Sequence, residues 1–129
     1  MKKLSFPKSK IKVLLLEKLD KSAKDIFLKE GYNVETYDGS LSEEELISKI
    51  KNVSILGIRS KTYISKKVID SADRLLSIGA FCIGTNQINL EECEIAGITV
   101  FNAPYSNTRS VVEIVIGQII NLMRCIVEK

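Results

Sequence analysis

The sequence contains no histidine among its 129 residues, and its three cysteines show no C-x-x-C spacing. Because zinc sites are built mainly from histidine and cysteine, we expect no metal site. The commonest general acid–base side chain is also missing, and we assign no catalytic residue. An odd number of separated cysteines is typical of reduced thiols, so we expect a cytoplasmic protein in which Cys82, Cys93 and Cys125 act as small apolar packing residues.

Long apolar runs and linkers are absent as well. No apolar run reaches the roughly 20 residues that span a bilayer, and Met1 to Lys3 are not followed by the apolar segment of a secretory signal. The net charge is only +3, with 19 basic and 16 acidic residues interspersed. We therefore interpret the lysine-rich residues 1–10 as a solvated basic arm, and expect neither a membrane nor a nucleic acid as partner.

Strand-like and helix-like segments alternate along the chain. Asp20, Ser42 with Glu45, Ser65 and Asn89 are helix-start signals, whereas Gly31 and Gly97 are helix-stop signals. The pattern predicts strands over 11–16, 32–37, 53–58, from Leu75 onwards, and 98–102, and helices over 21–30, 43–51, 66–72 and 90–96. Since the crossovers are long enough for parallel pairing, this order predicts an open, doubly wound α/β sheet.

The last segment differs from the others. Ser110 and Glu113 have the spacing of a second capping box, although Asn107 could also begin the helix one turn earlier. The predicted helix over 110–126 is apolar almost all the way round, and such helices are normally buried on several sides. We therefore expect this helix to need a partner surface, or to drive self-association or domain swapping.

The stretch GAFCIGTN at 79–86 is similar to a phosphate loop, but Thr85 and Asn86 stand where lysine and a hydroxyl residue are needed. Two interpretations remain: a plain turn, or a strand end at which Gly84 exposes its backbone to a ligand. A dinucleotide fingerprint is excluded, because no two glycines are separated by a single residue.

Arg59 and Ser60 follow the third predicted strand. An arginine fork at this position could bind a carboxylate or phosphate, with Ser60 as a second donor. An ordinary hydrophilic turn is the alternative, and the same choice applies to Arg109 near the start of the last helix. A phosphoacceptor receiver domain is excluded, since Arg59 occupies the place of its aspartate.

Two stretches, GAFCIGTNQ and FNAPYSNTRSVVE, resemble the N-terminal part of the D-3-phosphoglycerate dehydrogenases, a branch of the D-2-hydroxyacid dehydrogenases. The resemblance extends from about Ile11 to Arg124. It implies a flavodoxin-like substrate domain with helices on both faces of an open parallel sheet. It also implies a long apolar helix that connects to a Rossmann domain, with NAD as cofactor. The expected reaction is oxidation of 3-phosphoglycerate to 3-phosphohydroxypyruvate in serine biosynthesis.

The same resemblance implies roles for particular residues. Arg59 and Ser60 would face the substrate, and Lys61 would add positive charge for its phosphate. The backbone amides of Ile83 and Gly84 would hold the substrate carboxylate. At the entry to the last helix, Asn107 and Thr108 would lie on the cofactor side of the cleft.

The family's fingerprint glycines, substrate-orienting arginine and glutamate–histidine pair lie further along those chains and have no counterpart here. We therefore expect an arm over 1–10, a substrate-binding domain over 11–104 and a connecting helix over 105–129 toward a missing NAD-binding domain. Such a chain would be an inactive part of the enzyme. The alternative is a non-catalytic anion-binding or interaction module that dimerises through helix 110–126.

Overall fold

A computed structural model describes residues 6–126, and its centre is a five-stranded parallel sheet with the order β2-β1-β3-β4-β5. The N-terminal half of the predicted arm (1–5) and residues 127–129 lie outside the described residues. The strands are β1 (Lys12–Leu15), β2 (Asn33–Thr36), β3 (Ile55–Ile58), β4 (Ser77–Ala80) and β5 (Thr99–Asn102). The predicted open parallel sheet is confirmed, although the strands are shorter than their sequence patterns.

Five α-helices follow the strands in alternation: α1 (Lys21–Lys29), α2 (Glu43–Ile50), α3 (Lys66–Asp70), α4 (Leu90–Ile95) and α5 (Thr108–Arg124). With right-handed crossovers, this strand order puts α1 on one face of the sheet and α2, α3 and α4 on the other. Contacts of α3 with both α2 and α4 agree with that arrangement. The described end of the arm, a 3-10 turn at Lys8–Lys10, is attached to the domain because Lys8 pairs with Glu30.

The predicted start signals of the first four helices are confirmed, and so are the two predicted stop signals, Gly31 after α1 and Gly97 after α4. Asp20 accepts a hydrogen bond from the Ser22 amide at 2.9 Å, and Ser42 with Glu45 forms a complete capping box. Gly31 and Gly97 follow helices at φ of +86° and +71°, a backbone region that side chains with a Cβ disfavour. These local features fix where α1 and α2 begin and where α1 and α4 end.

The core lies between the sheet and its helices. Leu14, Leu56 and Ile78, side by side on β1, β3 and β4, are completely buried. A strand covered on both faces is continuously apolar, which explains the run Val13 to Leu16. Each such side chain contributes about 1.5–3 kcal/mol through burial, so these strands fix the loops at the sheet edge.

The last helix departs from its prediction. α5 begins at Thr108, directly after Asn107, so the alternative start at Asn107 is confirmed and the predicted capping box of Ser110 and Glu113 is wrong. Once Thr108 and Arg109 are helical, Ser110 lies inside the first turn, and Glu113 instead accepts a 2.8 Å hydrogen bond from Arg109. No residue of α5 is buried within the described part of the chain. None of the described helices is long and apolar enough to cross a membrane.

Candidate functional site: the carboxyl edge of the sheet

The loops that follow the strands meet at the carboxyl edge of the sheet. β1 and β3 are neighbours there, although the chain passes through β2 between them. In open α/β sheets this reversal of strand order leaves a crevice, which is the usual ligand position. The crevice here lies between the loop after β1, starting at Leu16, and the loop after β3, starting at Arg59.

Glu17 joins these two loops. Its carboxylate accepts hydrogen bonds from the backbone amides of Lys61 at 3.0 Å and Thr62 at 2.8 Å. Glu17 is 7% exposed, so the bonds form largely away from water. Glu17 therefore fixes the path of the loop that carries Arg59.

The ionisation of Glu17 follows from these contacts. Burial acts to raise the pKa of Glu17, but the hydrogen bonds from Thr62, Lys61 and Arg59 outweigh it and hold the pKa below its ordinary value. Glu17 is thus charged at neutral pH, with its charge directed at backbone amides.

Arg59, Ser60 and Lys61 line one cleft of about 550 Å³ together with Glu17, Lys18 and Asp38. All three predicted residues are exposed. Within residues 6–126, neither the Arg59 guanidinium nor the Lys61 ammonium lies within 4.0 Å of a carboxylate. The structure thus brings these predicted substrate residues together, with two positive charges that no described carboxylate pairs with.

The stretch GAFCIGTN forms the neighbouring wall. Gly79 lies inside β4, and its register partner on β3 is Gly57. A Cβ would lie 3.3 Å from the Phe81 ring if added at Gly79, and 3.2 Å if added at Gly57. The two glycines therefore leave room for Phe81, which turns back over the sheet and lines a second cleft with Arg59 and Lys18.

Gln87 connects the GAFCIGTN loop to the Arg59 loop. Its buried amide nitrogen donates to the carbonyl of Arg59 at 2.8 Å and to that of Gly84 at 3.3 Å. Cys82, half-buried beside it, donates from Sγ to the same two carbonyls. The predicted packing role of Cys82 therefore extends to holding two loops in register.

The backbone amides of Ile83 and Gly84 meet no hydrogen-bond acceptor among the described residues. Asn102, at the end of β5, donates to the Ile83 carbonyl at 2.8 Å, so this carbonyl is occupied while the amide is free. A Cβ on Gly84 would come within 2.7 Å of Asn86 Oδ1, which shows how closely Asn86 approaches the Gly84 backbone. The arrangement suits two amide donors that could bind an anion.

Asn107 and Thr108 lie at the start of α5, and both are exposed. The Asn107 side chain makes no capping hydrogen bond with the helix, so its amide group is available to a ligand. Neither residue lines the Arg59 cleft. Arg109 is paired with Glu113 on the helix surface and also stands apart from the cleft.

Three residues at this edge of the sheet, Glu17, Lys18 and Gln87, were not predicted as site residues. Gln87 is the last residue of the quoted stretch GAFCIGTNQ, and nothing in the spacing of the three residues indicates a role. A position directly beyond a buried strand was the one available signal for Glu17 and Lys18. Among the described residues, no group of three or more histidine, cysteine, aspartate or glutamate side chains could hold a metal ion.

A family model for the D-isomer specific 2-hydroxyacid dehydrogenases, catalytic domain, matches residues 13–116. Over 120 residues the chain is 51% identical to D-3-phosphoglycerate dehydrogenase of Dictyostelium discoideum, an alignment that covers 93% of this chain and 30% of that protein. The chain spans at most about a third of the length of the curated relatives it matches.

Solved structures with a similar fold include members of the same group of enzymes. A protein from Thermus thermophilus superposes with a TM-score of 0.84 at 24% identity, over 92% of this chain and 38% of that one. An NAD⁺-bound 3-phosphoglycerate dehydrogenase of Entamoeba histolytica superposes with a TM-score of 0.74 at 26% identity, over 86% of this chain and 38% of that one. The chain belongs to the D-isomer specific 2-hydroxyacid dehydrogenase family.

Proposed function

We propose that this chain is the substrate-binding part of an NAD-dependent D-3-phosphoglycerate dehydrogenase, which oxidises 3-phosphoglycerate to 3-phosphohydroxypyruvate in serine biosynthesis. The observation that carries the proposal is the pairing of two anion-binding elements at one edge of the sheet. Arg59 and Lys61 supply two positive charges on one loop, neither within 4.0 Å of a described carboxylate, and the free amides of Ile83 and Gly84 lie on the next. Gln87 ties the two loops together at 2.8 and 3.3 Å, so their spacing is fixed before a ligand binds.

The substrate is an α-hydroxycarboxylate with a phosphate at its far end, and each anion has a group suited to it. The Ile83 and Gly84 amides would hold the carboxylate, as oriented backbone amides do elsewhere. Arg59 would bind in a fork, Ser60 would donate a hydroxyl hydrogen, and Lys61 would attract the phosphate. These groups orient the substrate; none of them is an acid–base catalyst.

The cofactor would supply hydride acceptance when bound. Among the predicted residues, Asn107 and Thr108 fit a contact at the edge of the nicotinamide cofactor, because both are exposed and the Asn107 side chain is free of the helix. The 129-residue sequence has no histidine, and its glycine spacing excludes a dinucleotide fingerprint. We therefore assign residues 11–104 to substrate binding and 105–129 to a connecting segment that contains α5 and leads toward an NAD-binding domain, with no catalytic residue in the chain.

An NMR titration of the 129-residue chain with 3-phosphoglycerate tests the binding site. We expect shifts in the amides of Ile83, Gly84 and the 59–61 loop. Arg59→Ala should weaken binding at least about tenfold, since it removes a charge-assisted fork. Arg74→Ala is the matched control, because Arg74 is an exposed arginine in the loop that precedes β4. Equal binding by wild type and Arg59→Ala would contradict the assignment.

Activity tests the remaining part of the proposal. The purified chain with NAD and 3-phosphoglycerate should show no turnover, and clear turnover would overturn the domain assignment. The second candidate, a non-catalytic interaction module, is favoured by one observation: the large apolar side chains of α5 are exposed. Binding of small anions without preference for 3-phosphoglycerate, together with dimerisation through α5, would favour that candidate.

A further inference from the structure

Lys18 is the residue shared by three clefts along the carboxyl edge of the sheet. The cleft of about 550 Å³ contains it with Arg59 and Lys61, and a second contains it with Arg59 and Phe81. A third cleft, of about 380 Å³, contains it with Lys21 and Lys24 but not with Arg59. Lys18 therefore stands at the junction of these openings, next to the predicted substrate residues.

The backbone at Lys18 has an unusual conformation that directs this side chain. Glu17 and Lys18 have φ of +61° and +50°, a left-handed region that residues other than glycine rarely adopt. The Glu17 amide donates to the Gly39 carbonyl at 2.9 Å, and the Glu17 carboxylate is held by the 61–62 amides. Non-glycine residues persist in such conformations where surrounding contacts impose them, and these cluster at functional sites.

The ammonium group of Lys18 forms no ion pair with the described residues, a property that it shares with Lys21 and Lys61. Several described lysines pair with a carboxylate within 4.0 Å: Lys8, Lys12, Lys49, Lys66 and Lys67. Lys18 has no such partner among residues 6–126. Glu17, its neighbour in the cleft, directs its charge to backbone amides. The cleft is lined by three cations, Lys18, Arg59 and Lys61, and by two carboxylates, Glu17 and Asp38, so its lining carries one excess positive charge. None of the three cations lies within 4.0 Å of a carboxylate of the described residues.

We propose that Lys18 is a specificity-determining residue for phosphorylated substrates. It contributes the third positive charge of the Arg59 cleft and binds the phosphate, while the Ile83 and Gly84 amides hold the carboxylate. This inference rests on the proposed function and adds a residue from a different loop. A lysine is a compact point charge, which suits a phosphate dianion approached from several sides.

The test compares D-3-phosphoglycerate with unphosphorylated D-glycerate by NMR titration of the 129-residue chain at low salt. Lys18→Met keeps much of the length of the side chain and removes its charge. We expect it to weaken 3-phosphoglycerate binding about tenfold and to leave glycerate binding unchanged. Lys21→Met is the matched control, because Lys21 shares the cleft without Arg59.

Three outcomes are informative. Loss of the phosphate preference in Lys18→Met but not in Lys21→Met supports the proposal. If wild type prefers 3-phosphoglycerate and Lys18→Met keeps that preference, Lys18 has no such role, while the proposed function stands. If wild type shows no preference for 3-phosphoglycerate over glycerate, both the role of Lys18 and the proposed function are contradicted. Lys18→Gly removes the charge and also relieves the positive φ, so it gives a second variant that is not strained at this position.

Discussion

The sheet and α5 are built from similar apolar residues but have opposite environments. Leu14 and Leu56 on β1 and β3 are fully buried, whereas the large apolar side chains of α5 are between 47% and 79% exposed. The strands acquire partners from α1 to α4 and from one another, while α5 extends from the end of β5 without covering them. Apolar composition therefore indicates that a segment needs a partner, and the fold decides whether this part of the chain supplies one.

Paired truncations should show the largest difference between the two regions. Leu14→Ala is expected to lower the free energy of unfolding by about 2–5 kcal/mol, because it leaves a cavity in the core. Ile114→Ala on α5 should change it by less than about 0.5 kcal/mol, since its side chain is already in water. Urea denaturation followed by circular dichroism measures both. Comparable losses would mean that α5 packs on the domain in solution.

A charge placed on each exposed apolar surface tests whether α5 associates. Ile114 on α5 and Ile26 on α1 are 67% and 63% exposed, which makes them matched positions. Ile114→Glu should weaken self-association at least about tenfold in sedimentation velocity, because the charge would be buried between copies. Ile26→Glu should leave association unchanged. A wild-type chain that stays monomeric at high concentration would contradict the prediction.

Removing one carboxylate in each region should give a smaller contrast. Glu17→Gln is expected to cost about 1–3 kcal/mol at neutral pH, because Lys61 and Thr62 donate to different carboxylate oxygens and glutamine replaces one of them by an NH2 donor. Glu113→Gln on α5 should have no measurable effect, since its ion pair with Arg109 is exposed. Urea denaturation of the two variants beside wild type provides the comparison.

The pH dependence of stability distinguishes Glu17 further. The pKa of Glu17 in the folded state lies below the ordinary value of 4.5. Its contribution to the free energy of unfolding is therefore complete above pH 4.5 and is lost as the pH falls through the folded-state pKa. Wild type should therefore lose stability on acidification below about pH 4.5. The difference in free energy of unfolding between wild type and Glu17→Gln should become smaller over the same pH range. A difference that stays constant with pH would argue against a charged Glu17.

Two glycine substitutions should have the smallest effects, of opposite sign. Gly31 has φ of +86°, so Gly31→Ala should destabilise the domain by about 1 kcal/mol. Gly117 lies within α5 with nothing close to the position of a Cβ, so Gly117→Ala should raise the helix content. Thermal denaturation measures the first effect, and far-ultraviolet circular dichroism the second. A stabilising Gly31→Ala would mean that the turn differs from the one described.

Much of the fold was predictable because its signals are local. The spacing of apolar residues and the helix caps depend on residues a few positions apart. The capping box of Ser42 and Glu45 is an example, and it was confirmed. For α5 the sequence left two starts open: the earlier one, after Asn107, is confirmed, and the capping box of Ser110 and Glu113 is wrong. Ser110 and Glu113 have the spacing of a capping box wherever the helix begins. Nothing in that spacing shows that Thr108 and Arg109 are already helical.

The candidate site was predictable only in part. Arg59 and Ser60 stood out as polar residues beyond a buried strand, and Gly84 as a backbone position that a ligand could approach. The resemblance to the family supplied Lys61 and Ile83 and the roles of all five residues. Their roles in binding remain predictions. Gln87 was missed, because its contact with the Arg59 carbonyl joins residues 28 positions apart.

The sequence by itself determined an alternating α/β domain, the start signals of its first four helices, the glycine stops of two of them, and the absence of histidine and of a glycine fingerprint. Only the tertiary structure decided that the Glu17 carboxylate meets the amide of Thr62, 45 positions away, and that Lys18 lines the cleft of Arg59. The physical reason is the strand order β2-β1-β3-β4-β5. It sets β1 beside β3, and contacts between their loops depend on that neighbourhood and not on spacing along the chain.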